Sequence, residues 1–163
     1  MVPVDKSLFE KRIEKLLSRM RGELDDSVFG MMEPRLEACD LEAQSLTLVF
    51  PARRWERNGS GAIHGGIISS MFDTAMGTLT YALTGGLTPT IQLNVSFPRP
   101  APDDGVLYVR PRVVKMGRTV ITVTGECWDG RAPGDIVATA SGTFRSFAGE
   151  KAAAAQAAEG EQP

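Results

Sequence analysis

Histidine is almost missing from this sequence. His64 is the one imidazole, which excludes, within one subunit, any metal site that needs two or three histidine ligands and makes zinc hydrolase chemistry improbable. Cysteine is nearly as scarce: Cys39 and Cys127 lie far apart and form no CxxC pair, so neither a zinc knuckle nor a dithiol redox motif is expected, and a reducing, cytoplasmic compartment fits. Charge of one sign is not in excess. A formal net charge of −2 and a pI near 5.5 give no overall field to draw the chain to nucleic acid or to a membrane surface. The N-terminal stretch MVPVDKSLFEKRIEKLL breaks every apolar run with charge, so neither a secretory signal nor a membrane span is expected. No P-loop, GxSxG elbow or internal repeat occurs. What is left is small-molecule chemistry or self-association. With 163 residues and 42% hydrophobic content, one domain with a real core is the expectation.

Periodicity divides the chain into elements. Over residues 7–21, Leu8/Phe9, Ile13, Leu16/Leu17 and Met20 recur at helical spacing, and Ser7 with Glu10 has the form of a capping box. The outer face of this helix (Lys11, Arg12, Lys15, Arg19) reads as solvated, although it could meet phosphate. Two extended runs, 33–40 and 45–50, flank a polar stretch in the manner of a hairpin. A loop over 51–62, carrying Asn58-Gly59-Ser60-Gly61, leads into the nearly uncharged stretch 67–82. There Ile68, Phe72, Ala75, Leu79 and Ala82 follow helical spacing, and Met71 and Met76 widen the apolar surface, so this helix must be buried by the rest of the fold. Gly85-Gly86 ends it.

From Thr88 the period becomes two. Ile91, Leu93, Val95 and Phe97 alternate with polar residues up to Pro98, which predicts a strand with one buried face. Runs at about 106–115, 118–128 and 135–147 follow as a meander, with a tight turn at Met116-Gly117. The expected organisation is an amphipathic helix and linker over 1–30, one domain over 31–147, and a tail over 148–163 too poor in large apolar residues to fold alone. The economical packing is α+β, a curved antiparallel sheet wrapped around the long central helix.

Two features carry chemistry. His64-Gly65-Gly66 stands immediately before the buried helix, where orphan N–H groups favour an anion or a developing oxyanion. Glycine at 65 and 66 either lets a substrate carbonyl approach the main chain or merely permits a tight turn. Asp73 is the one charge on the buried helix. Placing an ionised carboxylate among Met71, Phe72, Ala75 and Met76 costs several kcal/mol unless it is paired or lines a cavity. A raised pKa would suit it to general-base or nucleophilic work; a structural aspartate satisfied by Ser70, Thr74 or Thr78 is the other reading. Gly66 and Asp73 are separated by two helical turns, roughly 10 Å of rise, whereas one carbonyl must lie about 3 Å from both its donor and its attacker. Two antiparallel copies of the helix across a two-fold axis meet that requirement, which predicts an obligate dimer with composite sites.

The series Asn58, His64-Gly65-Gly66 and Asp73, with the strand TIQLNVSFPRPA from Thr90 to Ala101, resembles the signature of hotdog-fold thioesterases of the PaaI-like group, over about residues 36–147. The resemblance implies hydrolysis of acyl-CoA thioesters. Asp73 would be the base or nucleophile and Gly65 the oxyanion-hole N–H. His64 and Asn58 would orient the loop and the thioester, and Thr90 would hold the attacking water. It also implies a dimer, assembled further into a tetramer, with no cofactor beyond the coenzyme A of the substrate. Cations at the pocket mouth would meet the CoA phosphates, with Arg99 and Arg118 as candidates; Arg118 could equally be a solvated turn residue. Gly66 and Met76 complete the expected substrate contacts, Met76 in an adaptable pocket with Met71, Phe72 and Trp55 that suits aryl and aliphatic acyl groups alike. A non-catalytic acyl-CoA binder of the same fold is the alternative. A hydratase is disfavoured, because it would pair a histidine with a carboxylate for proton transfer at carbon.

Overall fold

The structure is a computed structural model that describes residues 4–132 and 134–147. The tail expected over 148–163 lies outside the described residues. The first helix, α1 (Lys6–Gly22), starts at Asp5, whose carboxylate accepts the Leu8 N–H at 2.8 Å. Asp5 is therefore the N-cap rather than Ser7, which lies within the first turn; an ionised carboxylate is also the better match to the positive end of the helix. Phe9, Ile13, Leu17 and Met20 form its buried stripe against the central helix and the first strand. A short helix with no counterpart in the sequence pattern, α2 (Val28–Met31), follows, started by the Ser27 hydroxyl.

Six strands form one antiparallel sheet: β1 (Arg35–Asp40), β2 (Ser45–Pro51), β3 (Thr90–Ser96), β4 (Val106–Met116), β5 (Val120–Asp129) and β6 (Ile136–Arg145). Their order across the sheet is β1-β2-β4-β5-β6-β3. The hairpin and the β4–β6 meander are as the alternation predicts, while β3 crosses to the far side of β6 and becomes an edge. Register shifts in four of the pairings bend and twist the sheet. Its concave face closes on α3 (Gly65–Thr84), giving the expected α+β hotdog arrangement.

The core between α3 and the sheet contains Phe50, Phe72, Phe144, Met71, Met76 and Leu79, all fully buried. Glycine makes this close approach possible. A methyl group at Gly125 would sit 3.1 Å from Met76 Cε, and one at Gly142 would sit 3.2 Å from its Sδ. Met76 thus fills a notch in the sheet instead of facing an open pocket, and Phe72 and Met71 are likewise interior; of the residues expected to line the pocket, Trp55 alone is exposed, at 43%. The left-handed Gly85 (φ +71°) ends α3, its N–H returning to Tyr81 O. Arg12 of α1 donates to Ala82 O at 2.9 Å and reinforces that end.

Candidate active site

Asn58 builds the loop ahead of α3. Its side-chain oxygen accepts from Ser60 N (2.9 Å), Ser60 Oγ (2.8 Å) and Ala62 N (3.1 Å), while its own N–H donates to Ala62 O. The loop is then tied at two points: Ile63 N–H to Ala101 O at 3.0 Å, and His64 N–H to Glu56 O at 2.7 Å. His64 is the N-cap of α3, its Nδ1 accepting the Gly66 N–H at 2.9 Å. An Nδ1 that accepts carries no proton, so in the neutral ring the N–H is Nε2. One consequence corrects an expectation: the Gly66 N–H is used by His64 and is not a donor to a ligand. The Gly65 N–H takes no partner among the described residues, and it is the donor this helix end leaves free. A side chain at Gly65 would meet the Phe97 ring at 3.3 Å. Phe97, read from the sequence as the last inward residue of β3, is instead 47% exposed and lies over the start of α3.

Asp73 sits two turns along the same helix, half-buried rather than enclosed. Its Oδ1 accepts from Thr90 Oγ1 at 2.5 Å. The neighbours that could have made it a purely structural residue bond elsewhere: Ser70 Oγ to Gly66 O at 3.0 Å and Thr78 Oγ1 to Thr74 O at 2.7 Å. The buried Thr74 hydroxyl has no partner among the described residues.

The structure therefore brings the candidates together in two groups at opposite ends of β3. Asp73 and Thr90 stand at its start, and His64, Gly65 and Phe97 at its finish. Arg99 belongs to the second group, in the segment after β3 that lies against residues 62–63, and it is held by Asp135 at 2.5 Å. Arg118 belongs to the first. It is exposed on the β4–β5 turn, and that turn reaches the start of β3 through Ser146 N–H to Thr119 O and Arg145 N–H to Pro89 O.

A groove of about 900 Å³ on the sheet, lined in part by Ser45, Thr47, Arg110, Arg112, Thr124 and Glu126, includes none of these residues. The candidate residues therefore lie outside this groove. Neither cysteine competes for the nucleophile's role: burial, then Asp129, pushes the Cys127 thiol up to about 12, and burial, then Glu10, raises that of Cys39. Among the described residues, no group of three His, Cys, Asp or Glu side chains is placed to hold a metal ion.

A family model of the thioesterase superfamily matches residues 60–133. The solved structure of a candidate thioesterase, a phenylacetic acid degradation-related protein of Ralstonia eutropha JMP134, is 36% identical and superposes with a TM-score of 0.68, covering 79% of this chain and 98% of that one. The chain belongs to the thioesterase superfamily, among its PaaI-like hotdog members. A candidate esterase of Halobacterium salinarum is 36% identical over 97 residues, a match that covers 55% of this chain and 63% of that relative's length. The fold is also that of a hypothetical thioesterase of Streptococcus pneumoniae TIGR4 solved with coenzyme A, at 20% identity and a TM-score of 0.60, over 68% of this chain and 87% of that one. The family match takes in His64, Gly65, Asp73 and Thr90 and leaves out Asn58. Thr90, seventeen residues beyond Asp73, was legible through the family resemblance and not from local pattern.

Proposed function

We propose that the protein hydrolyses acyl-CoA thioesters, aryl or medium- to long-chain, at sites shared between two subunits. The observation that carries this reading is the separation of donor and carboxylate along α3. Gly65 and Asp73 are eight residues apart, about 12 Å of helical rise, and each has the partner its task needs: a free N–H at one end, a carboxylate held by a hydroxyl at the other. A second copy running antiparallel supplies the missing half. The face of α3 that would meet it is small and open: Gly66, Ser70, Asp73 and Gly77 follow one another at helical spacing, Gly66 exposed and the other three partly exposed, and a methyl group built at Gly77 touches nothing within 4 Å. β3 adds an exposed Ile91 (57%) and an edge whose hydrogen-bonding groups are free to pair with a copy of itself.

In such a site the thioester carbonyl lies against Gly65 N–H of one subunit and faces Asp73 of the other. Asp73 either attacks the carbonyl carbon, giving an anhydride that water cleaves, or takes a proton from a water oriented by Thr90. The tetrahedral oxyanion is received by the Gly65 N–H at the positive end of α3. The C–S bond then breaks. The leaving thiol has an ordinary pKa of about 8.5, so it departs as a thiolate near neutral pH without a dedicated acid, which fits a site whose single imidazole caps a helix. The coenzyme A bound by the pneumococcal relative supports the carrier. Arg99 and Arg118, which one chain places at opposite ends of β3, approach one mouth when two chains pair antiparallel, and there they would meet the CoA phosphates. A dimer of such dimers and a cytoplasmic site of action complete the reading.

The decisive experiment is release of free thiol from a panel of aryl-, short-, medium- and long-chain acyl-CoA esters, followed over many turnovers. Sustained release that disappears in Asp73→Ala supports hydrolysis. Binding without turnover moves the protein to the non-catalytic class. Gly77→Leu addresses assembly: the lone chain has room for the side chain, so the variant should fold, sediment as a monomer and lose activity.

A further inference from the structure

Of the buried charged side chains among the described residues, Glu56 is the most completely enclosed, with no exposed surface. It closes the single 3-10 turn Arg54–Glu56, just ahead of Asn58. One carboxylate oxygen, Oε2, accepts the Arg53 N–H at 2.8 Å; the other, Oε1, is buried without a partner. Burial raises its pKa, against the lowering effect of the Arg53 N–H and guanidinium. A turn of this kind can be closed by a short neutral side chain at the surface. An enclosed carboxyl with a free oxygen is a costly way to do it.

The position of Glu56 explains the cost. Its main-chain carbonyl accepts the His64 N–H at 2.7 Å, the shortest of the main-chain bonds holding the corner before α3. His64 in turn accepts the Gly66 N–H and so leaves Gly65 as the free donor. Behind Glu56, Arg53 is clamped by Glu33 at 2.5 Å, on the connection from α2 to β1, where Glu33 itself holds a left-handed backbone (φ +47°). A chain of contacts therefore runs from the N-terminal segment through Glu33, Arg53 and Glu56 to His64.

We propose that Glu56 is the positioning residue of the oxyanion-donor corner: its buried carboxyl fixes the turn whose carbonyl anchors His64, and through His64 it aims the Gly65 N–H. It touches no substrate. The proposal rests on the thioesterase reading for its catalytic consequence, but its structural core can be measured separately. Because His64 is the only histidine in the sequence, ring-labelled protein gives one pair of imidazole nitrogen signals. The wild type should show a single tautomer, Nδ1 unprotonated and Nε2 protonated.

In Glu56→Ala the ring should average between tautomers, and kcat should fall by about tenfold to a hundredfold, as expected for displaced catalytic geometry, with KM within about twofold. Glu56→Gln keeps an oxygen for the Arg53 N–H and should restore both the ring signals and most of kcat. Should Glu56→Ala not fold, Glu56→Asp takes its place, since a carboxylate shortened by one methylene no longer reaches the Arg53 N–H. Unchanged ring signals in a folded Glu56→Ala or Glu56→Asp protein overturn the proposal whatever the activity. So does a lowered melting temperature with wild-type ring signals and kcat. Altered ring signals in a protein whose wild type cleaves no thioester uphold the positioning role and refute the proposed hydrolysis instead.

Discussion

The two halves of α3 belong to one helix and obey different rules. From Gly65 to Asp73 the exposed face is small and polar, the capping bonds leave one N–H free, and the carboxylate reaches out of the helix to Thr90. From Thr74 to Leu83 all residues but Gly77 and Tyr81 are buried, and the end is closed by Gly85 and by the Arg12 guanidinium. The contrast shows how one element can be anchored tightly at one end while holding the proposed reactive groups at the other. Stability is concentrated away from the proposed chemistry, so the open half can keep an unpaired donor and a half-buried carboxyl without endangering the fold.

Substitutions that separate activity from stability put this contrast at risk. Asp73→Asn should lower kcat about a thousandfold, the scale of a lost general base, while thermal melting stays close to wild type; an active variant would make the open half merely structural. Leu79→Ala, in the closed half, should cost about 3 kcal/mol of stability. Its activity below the new melting transition should remain near wild type, as a thiol-release assay run beside calorimetry would show. Arg12→Ala removes a charged bond to the last turn and should cost about 1 kcal/mol, allowing for its partial exposure, with no change in kcat. Glu56→Gln should have the smallest effect on stability, and one that depends on pH. A carboxyl whose pKa is raised by folding adds stability below its ordinary range, and that contribution is lost as pH rises through the folded value. The glutamine variant should therefore gain on the wild type as pH rises from the ordinary glutamate range through that value, with the gain levelling off above it, in denaturant titrations across mildly acidic to neutral pH.

Much of this could be read in the amino acids. The nearly uncharged stretch after His64-Gly65-Gly66 announced α3 because a helix that is apolar on most sides has only one place to go, and Gly85 marked its end. The alternation of β3 was real but misleading. Ile91 and Phe97 are exposed in the single chain, and the period of a sequence does not say whether an apolar face meets its own chain or a copy. The same limit explains why Asp73 is half-buried here and was expected to be enclosed. Glu56 was invisible in the run ARRWERN, where a glutamate between arginines reads as a solvated charge. Its burial depends on a turn closed by long-range contacts, among them the Arg53–Glu33 pair. The α2 helix is too short for any periodicity to register.

The unequal edges of the sheet govern how the protein can associate. β1 is shielded on one side by α1 and shows solvent mostly polar residues, with a register break that spoils it as a template. β3 has a register shift of its own, at Thr90/Gln92, but it shows solvent the apolar Ile91. A strand edge that can be copied indefinitely leads to fibres, but when the guarded edge refuses partners and the open edge accepts only its own antiparallel image, growth stops at two. In the proposed dimer the chain is at risk only in the interval between folding and meeting its mate. Recovery after denaturation should accordingly pass through an optimum concentration: too dilute and the edge waits unpaired, too crowded and half-folded chains find it first.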